Sequence, residues 1–145
     1  MEAGARLGPS RWLAVDQERI DTFAAATEDR QGIHIDPEAA AAGPYGTTVA
    51  HGFLTLSLVV PLLYEVAPRP DGVVLVNYGV DRVRFPSAVP AGSRIRAVFD
   101  VVAVDDVPGG RQATLSATVE REGGDKPVCV AQLLLRFLEP TGGDT

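Results

Sequence analysis

The segment "HGFLTLSLVVPLLYEV", residues 51–66, decides the architecture, because its apolar residues cover every side of a helix instead of one stripe. A helix that is apolar all round is buried on all sides. A strand with so long an unbroken apolar run would be unusual, so the segment predicts a buried helix roughly 20 Å long. Pro61 lies inside this helix and predicts a kink or the loss of one backbone hydrogen bond.

After residue 70 the apolar residues recur with a period of two, which is typical of half-buried strands. Turn signals such as "VPAGS", "DVPGG" and "REGGDK" separate the alternating runs, and a bulge is expected near Gly79. The pattern predicts a meander of about four long strands: 73–86, 93–104, 111–121 and 127–138. A buried helix followed by such a sheet favours an α+β fold in which the antiparallel sheet wraps around the helix.

Two shorter helices are predicted before the long one. The first covers residues 16–27, where Asp16 can cap it and the apolar residues recur every three or four positions. The second begins at "DPEAAAA", with Asp36 as N-cap and Pro37 as the first helical residue. Residues 1–145 fit one domain, and the last seven, 139–145, are expected to fray.

Composition excludes several classes of partner. The chain has 145 residues, a formal net charge of -6 and no Lys/Arg run, which argues against nucleic acid. It has no apolar run of 18 residues and no signal-peptide pattern at its start, so we expect a cytoplasmic protein that does not cross a membrane. Its one cysteine, Cys129, lies in an apolar strand and is expected in the core.

The candidate site residues lie close to the two histidines in the sequence. In "EDRQGIHIDPEAA", residues 28–40, Asp29 precedes His34 by five positions, and Gln31 lies between them where it can hydrogen-bond either one. The spacing of Asp29 and His34 is by itself weak evidence for a catalytic site, and His34 could instead be a loop histidine bonded to backbone. An acid and an imidazole held together nevertheless suit proton transfer next to a carbonyl.

The second histidine, His51, directly precedes the long helix, and Gly52 begins it. The first N–H groups of a helix have no intrahelical partner and carry partial positive charge. The N–H of Gly52 could therefore stabilise an enolate-like oxyanion on a thioester, and the missing side chain would let a substrate approach. His51 could instead have a structural role, bonding loop backbone.

The stretch "ATEDRQGIHIDPEAAAAGPYGTTVAHGFLTLSL", residues 26–58, resembles the hydratase motif of the MaoC-like, (R)-specific enoyl-CoA hydratase family. "FPSAVPAGSRIRA", residues 85–97, is similar to the strand that follows in that family. The resemblance implies a hot-dog fold, a homodimer with sites near its interface, and no cofactor apart from coenzyme A as part of the substrate. The implied reaction is reversible addition of water to a trans-2-enoyl thioester, of coenzyme A or a carrier protein, giving the (R)-3-hydroxyacyl thioester.

Carried over by position, the resemblance implies that Asp29 and His34 are the acid and base and that Gly52 is the oxyanion donor. Gln31, Gly32 and His51 are expected to contact substrate. The chain has Gln31 where many members have Asn, and Gly32 where members have a larger residue, often Pro or Trp. These two departures predict a looser loop and a wider pocket.

Alternatives remain open from the residues. A metal site built on two histidines and an acid would be a weak ligand set, so no metal is expected. Four arginines alternate on strands and could be a solvated face or could meet coenzyme A phosphates: Arg82, Arg84, Arg94 and Arg96. A hot-dog acyl-thioesterase and a non-catalytic acyl-binding protein are the rival functions.

Overall fold

A six-stranded antiparallel sheet curls around one long helix in the computed structural model, which describes residues 1–67 and 69–141. The strands are β1 (Arg6–Leu7), β2 (Leu13–Val15), β3 (Val74–Arg84), β4 (Ser93–Val107), β5 (Gly110–Arg121) and β6 (Cys129–Leu138). The helices are α1 (Gln17–Thr27), α2 (Gly32–Ile35), α3 (Pro37–Ala41) and the long α4 (Gly52–Val66). The predicted α+β hot-dog architecture is confirmed.

The strand order, β1-β4-β5-β6-β3, corrects the predicted meander. Only β4, β5 and β6 follow one another in space, whereas β3 pairs with β6 at the sheet edge. The segment between β3 and β4 explains the difference, since it passes the start of α4, where the amide of Ala50 donates to the carbonyl of Val89 at 2.8 Å. The short strands β1 and β2 both pair with β4. They were not predicted, because a strand of two or three residues is too short to show an alternating pattern.

The core lies between α4 and the concave face of the sheet. Alternate residues of the three central strands point inward, and each strand contributes four buried side chains at every second position, within 95–101, 113–119 and 129–135. They pack with the buried side of α4 in one cluster that includes Leu58, Leu62, Phe99, Leu115, Cys129 and Leu133. Burial raises the pKa of the Cys129 thiol to about 11, in keeping with the predicted core position.

The long helix is present at the predicted residues, but the expectation that it is buried on all sides is wrong for the single chain. Phe53 is 70% exposed and Tyr64 is 44% exposed, because the sheet covers one side of α4 only. Pro61 lies on this uncovered side, where the loss of one backbone hydrogen bond is least costly. An apolar helix surface of this kind marks a place where another surface can pack.

Two irregularities shape the edge strand β3. The bulge expected near Gly79 is found between Asn77 and Gly79, and a second lies between Asp81 and Arg84, where Arg82 has a φ of 52°. At the C-terminus, the amide of Glu139 still donates to the carbonyl of Gly109 at 3.0 Å. The remainder of the expected frayed tail, from residue 142, lies outside the described residues. No helix within the described parts of the chain is long and apolar enough to cross a membrane.

Candidate active site

The turn that carries His34 is built by local capping. Helix α1 ends at Glu28, which adopts the left-handed conformation with a φ of 64° and redirects the chain. Asp36 then caps α3 as predicted, accepting a hydrogen bond from the amide of Ala39 at 3.1 Å, and Pro37 is the first helical residue. The single helical turn α2 is held between these two ends and presents His34 to the interior.

The imidazole of His34 is 7% exposed and its Nδ1 lies 2.6 Å from the carbonyl oxygen of Val49. A carbonyl oxygen only accepts, so Nδ1 carries the proton and donates it to this bond. With the proton on Nδ1, a ring without a second proton has at Nε2 the lone pair that a proton acceptor requires. A second bond, from the amide of Val49 to the carbonyl of Ile33 at 3.0 Å, fixes the same two segments together.

His51 packs flat against His34, with ring centroids 3.8 Å apart and planes 23° apart. Its Nε2 donates to the main-chain carbonyl of Asp29 at 2.9 Å, and the ring of Phe23 covers it at 4.8 Å between centroids. Its Nδ1 is buried without a hydrogen-bond partner in the described structure. These contacts support the structural role for His51, because its ring holds the main chain of Asp29 and packs against the ring of His34.

The carboxylate of Asp29 lies in the same cluster. One of its oxygens and one ring nitrogen of each histidine are all within 4.8 Å of one another, although the Asp29 side chain is exposed. Two hydrogen bonds of about 2.8 Å that meet at one water molecule span a gap of this size. Asp29 therefore lies close enough to the two histidines to share one bridging water, as its predicted pairing with His34 requires.

Gly52 is the first residue of α4. The carbonyl of His51 accepts from the amides of Leu54 and Thr55, so the earlier amide of Gly52 has no acceptor within the helix. Gly52 and His34 line the same cavity of about 280 Å³, together with Tyr45, Phe85 and Ser87 among others. The imidazole of His34 and the first residue of α4 thus border one open pocket, and Asp29 is not among the residues that line it.

Close packing explains why residue 52 is a glycine. A Cβ placed on Gly52 would lie 2.8 Å from two ring carbons of Phe85, closer than real Cβ atoms approach. Gly52 has ordinary helical backbone, so its conformation does not itself require glycine. The ring of Phe85 therefore occupies the space next to Gly52 at the start of α4. The expectation from sequence was that a substrate would approach there.

Gln31 and Gly32 lie at the start of α2, and neither is among the residues that line the cavity. A Cβ on Gly32 would make ordinary contacts at 3.8 Å with the Cβ atoms of Ala39, on α3, and of Asp36, the N-cap of α3. The side chain of Gln31 is exposed and makes no capping bond. Their assignment as substrate contacts, and that of His51, stays a prediction.

The four arginines of the strands separate into two pairs. Arg94 and Arg96 bond to Glu122 and Glu120, and both guanidinium groups lie over the ring of Trp12. These partners make Arg94 and Arg96 part of a solvated sheet face. Arg82 and Arg84 are exposed at the end of β3, and Arg84 directly precedes Phe85, which borders the cavity.

Sequence reasoning missed the contacts that hold the site residues. Val49 and Phe85 both lie in the two segments that resemble the family. Nothing in these segments predicts that the carbonyl of Val49 accepts from the His34 ring, or that the ring of Phe85 packs on Gly52. Both contacts join residues more than ten positions apart, namely 34 with 49 and 52 with 85. Local periodicity carries no information at that range.

Comparison with known proteins identifies the family of this chain. A family model described as a MaoC like domain matches residues 1–123. The chain is 49% identical over 137 residues to a 3-hydroxyacyl-thioester dehydratase Z of Mycobacterium tuberculosis, covering 94% of this chain and 91% of the relative. It is 45% identical over 132 residues to nodulation protein N of Rhizobium leguminosarum, covering 88% and 81%. An (R)-hydratase from A. caviae involved in PHA biosynthesis has a similar fold, with a TM-score of 0.77, 24% identity and coverage of 97% and 98%.

The contact between Gly52 and Phe85 predicts a strong coupling between two substitutions. Gly52→Ala should destabilise the protein by roughly 1–3 kcal/mol, because its Cβ overpacks against the ring. In a Phe85→Ala background the same change should be neutral or stabilising by up to about 1 kcal/mol, because alanine favours a helix over glycine. Urea unfolding of the four proteins measures the coupling, and equal effects of Gly52→Ala in both backgrounds would contradict it.

Proposed function

Because this chain belongs to the MaoC-like domain family, we propose that it is a hydro-lyase acting on acyl thioesters. The reaction is reversible addition of water to a trans-2-enoyl thioester, giving the (R)-3-hydroxyacyl thioester. The name of the M. tuberculosis relative, a 3-hydroxyacyl-thioester dehydratase, supports the reaction type. The observation that carries the proposal is one cavity lined by both His34 and Gly52, the first residue of α4.

In the proposed step, Asp29 and His34 hold one water molecule between them. One O–H bond of the water breaks, its proton passing to the pair of Asp29 and His34, as the oxygen bonds to C3 of the enoyl group. The electron pair of the C2–C3 double bond moves toward the thioester oxygen, where the N–H of Gly52 stabilises the charge. A proton delivered to C2 from the same pair of residues completes the addition, and the reverse sequence is dehydration.

The proposed chemistry requires no cofactor and no metal, since every proton moves between water, Asp29, His34 and substrate. A cavity of about 280 Å³ has the volume of roughly nine water molecules. That volume suits the acyl part of a substrate, and the remainder of coenzyme A or of a carrier protein would lie outside it. The exposed Arg84, next to Phe85, is the candidate for an outer phosphate contact.

The thioesterase alternative differs in its product. Hydrolysis releases a free thiol from an acyl thioester, whereas hydration consumes the enoyl group and leaves the thioester intact. Following the enoyl absorbance of crotonyl-CoA while titrating free thiol in the same sample separates the two reactions. Loss of the enoyl band without thiol release is expected here, and binding without either change would select the non-catalytic alternative.

Asp29→Asn and His34→Ala should each lower the hydration rate by about 10²–10³, in the range typical of general acid–base groups. The double variant should be hardly slower than the slower single variant, because the two residues act on one water as a unit. The measurement is kcat on crotonyl-CoA beside the melting temperature of each protein.

Glu28→Gln is the matched control, since it removes a negative charge from the neighbouring position, which is also exposed. Its rate should stay close to that of the unchanged protein. Losses that multiply in the double variant, or an equal loss in Glu28→Gln, would refute the paired role of Asp29 and His34.

A homodimer is the second part of the proposal. The uncovered side of α4 borders a groove of about 200 Å³, lined in part by Leu56, Val60 and, on the edge strand β3, Val80. Val80 is 47% exposed and β3 has one unpaired edge, a combination that favours pairing with another strand. A second copy of the chain would cover both the strand edge and the apolar side of the helix.

Val80→Lys should therefore convert a dimer into single chains, because a charged side chain on the edge opposes pairing. Val102→Lys is the matched control, since Val102 is 53% exposed but lies on β4, away from that groove. Light scattering should give twice the mass of a 15.3 kDa chain for the unchanged protein and for Val102→Lys. A fully active protein with the mass of one chain would contradict the dimer.

A further inference from the structure

The side-chain amide of Gln17 lies outside the cavity and joins the two segments that hold His34. Gln17 is the first residue of α1, and its Nε2 donates to the carbonyl of His34 at 2.7 Å. The hydroxyl of Thr48 donates to its Oε1 at 2.6 Å. Thr48 directly precedes Val49, whose carbonyl accepts from the His34 ring, so the amide closes a cycle of hydrogen bonds around the imidazole.

A side-chain amide meets both hydrogen-bonding requirements of the cycle. The carbonyl of His34 needs a donor and the hydroxyl of Thr48 uses an acceptor, and only a group with both can serve them together. Thr48 is 4% exposed and His34 is 7% exposed, so water does not readily replace either bond. Leaving buried polar groups without partners is costly, which favours one arrangement of the two segments over looser ones.

We infer that Gln17 is a positioning residue for the hydration reaction. It holds the main chain of His34 at a fixed distance from the 48–49 segment, and so holds Nε2 in place relative to Gly52. Gln17 does not line the cavity with His34, and it acts through His34 and Thr48 only. The inference rests on the proposed function, because it assigns Gln17 to the geometry of the same site.

The structure also offers a matched control. The Nε2 of Gln17 makes a further bond at 2.9 Å to the carboxylate of Asp21, one helical turn later on the exposed side of α1. Asp21→Ala removes this bond from the same amide and leaves the contacts with His34 and Thr48 intact. Gln17→Met keeps the length of the side chain and removes both contacts, whereas Thr48→Val removes one and Thr48→Ser keeps it.

The kinetic test uses the full chain with crotonyl-CoA. In Gln17→Met and Thr48→Val, kcat should fall by roughly 10- to 100-fold, because small displacements of a reacting group carry large rate penalties. KM should change by no more than about threefold, since the cavity walls are untouched. Thr48→Ser and Asp21→Ala should stay within about twofold of the unchanged protein, as surface or conservative changes do.

A second readout does not depend on activity. The Nδ1 proton of His34, buried in its bond to Val49, should give a slowly exchanging NMR signal in the unchanged protein and in Asp21→Ala. Gln17→Met should speed its exchange with water or broaden it beyond detection. If Gln17→Met does not fold, Thr48→Val carries both measurements.

The two readouts separate failure of the inference from failure of the proposed function. If the unchanged protein does not hydrate crotonyl-CoA or release its thiol, the proposed function fails and the proton signal alone decides the role of Gln17. An unchanged His34 signal together with unchanged kcat in Gln17→Met overturns the inference. Equal losses in Asp21→Ala would also overturn it, because that variant keeps the cycle.

Discussion

The packing of α4 against the concave face of the sheet is the constraint on which the remainder of the structure depends. Its buried side, which includes Leu58 and Leu62, fixes the helix axis relative to the strands. Because the helix axis is fixed, the first turn of α4 has a fixed position too. That turn begins at Gly52, whose amide is therefore held in place. A donor held by a packed core needs no rearrangement when charge develops nearby, which is the condition for strong oxyanion stabilisation.

The second half of the site is brought to that point by hydrogen bonds. The ring of His34 bonds to the carbonyl of Val49, three residues before Gly52, so the imidazole and the helix end share one short segment as their reference. His51, stacked on His34 and bonded to the main chain of Asp29, adds the acid to the same cluster. Core packing thus positions the proposed oxyanion donor, and backbone carbonyls position the proposed proton-transfer groups.

The residues that could be predicted from sequence are those whose roles are local. The all-round apolar run predicted α4, alternation predicted the four long strands, and Asp36-Pro37 predicted the start of α3. Contacts between distant segments could not be read in this way, which explains why Phe85 and Gln17 were missed. The uncovered side of α4 was also missed, because sequence shows that a surface is apolar but not which molecule covers it.

The most direct measurement compares Gly52→Ala with Gly52→Pro, both in a Phe85→Ala background. Both variants add a Cβ where the ring of Phe85 has been removed, and proline in addition replaces the N–H with its ring carbons. Proline is tolerated as the first residue of a helix, and the ψ of 139° at His51 already suits the residue before a proline. We expect similar melting temperatures and a kcat about 10²–10³ lower for the proline variant, the usual cost of one oxyanion donor. Equal kcat values in two folded proteins would show that the helix-end amide does not stabilise the transition state.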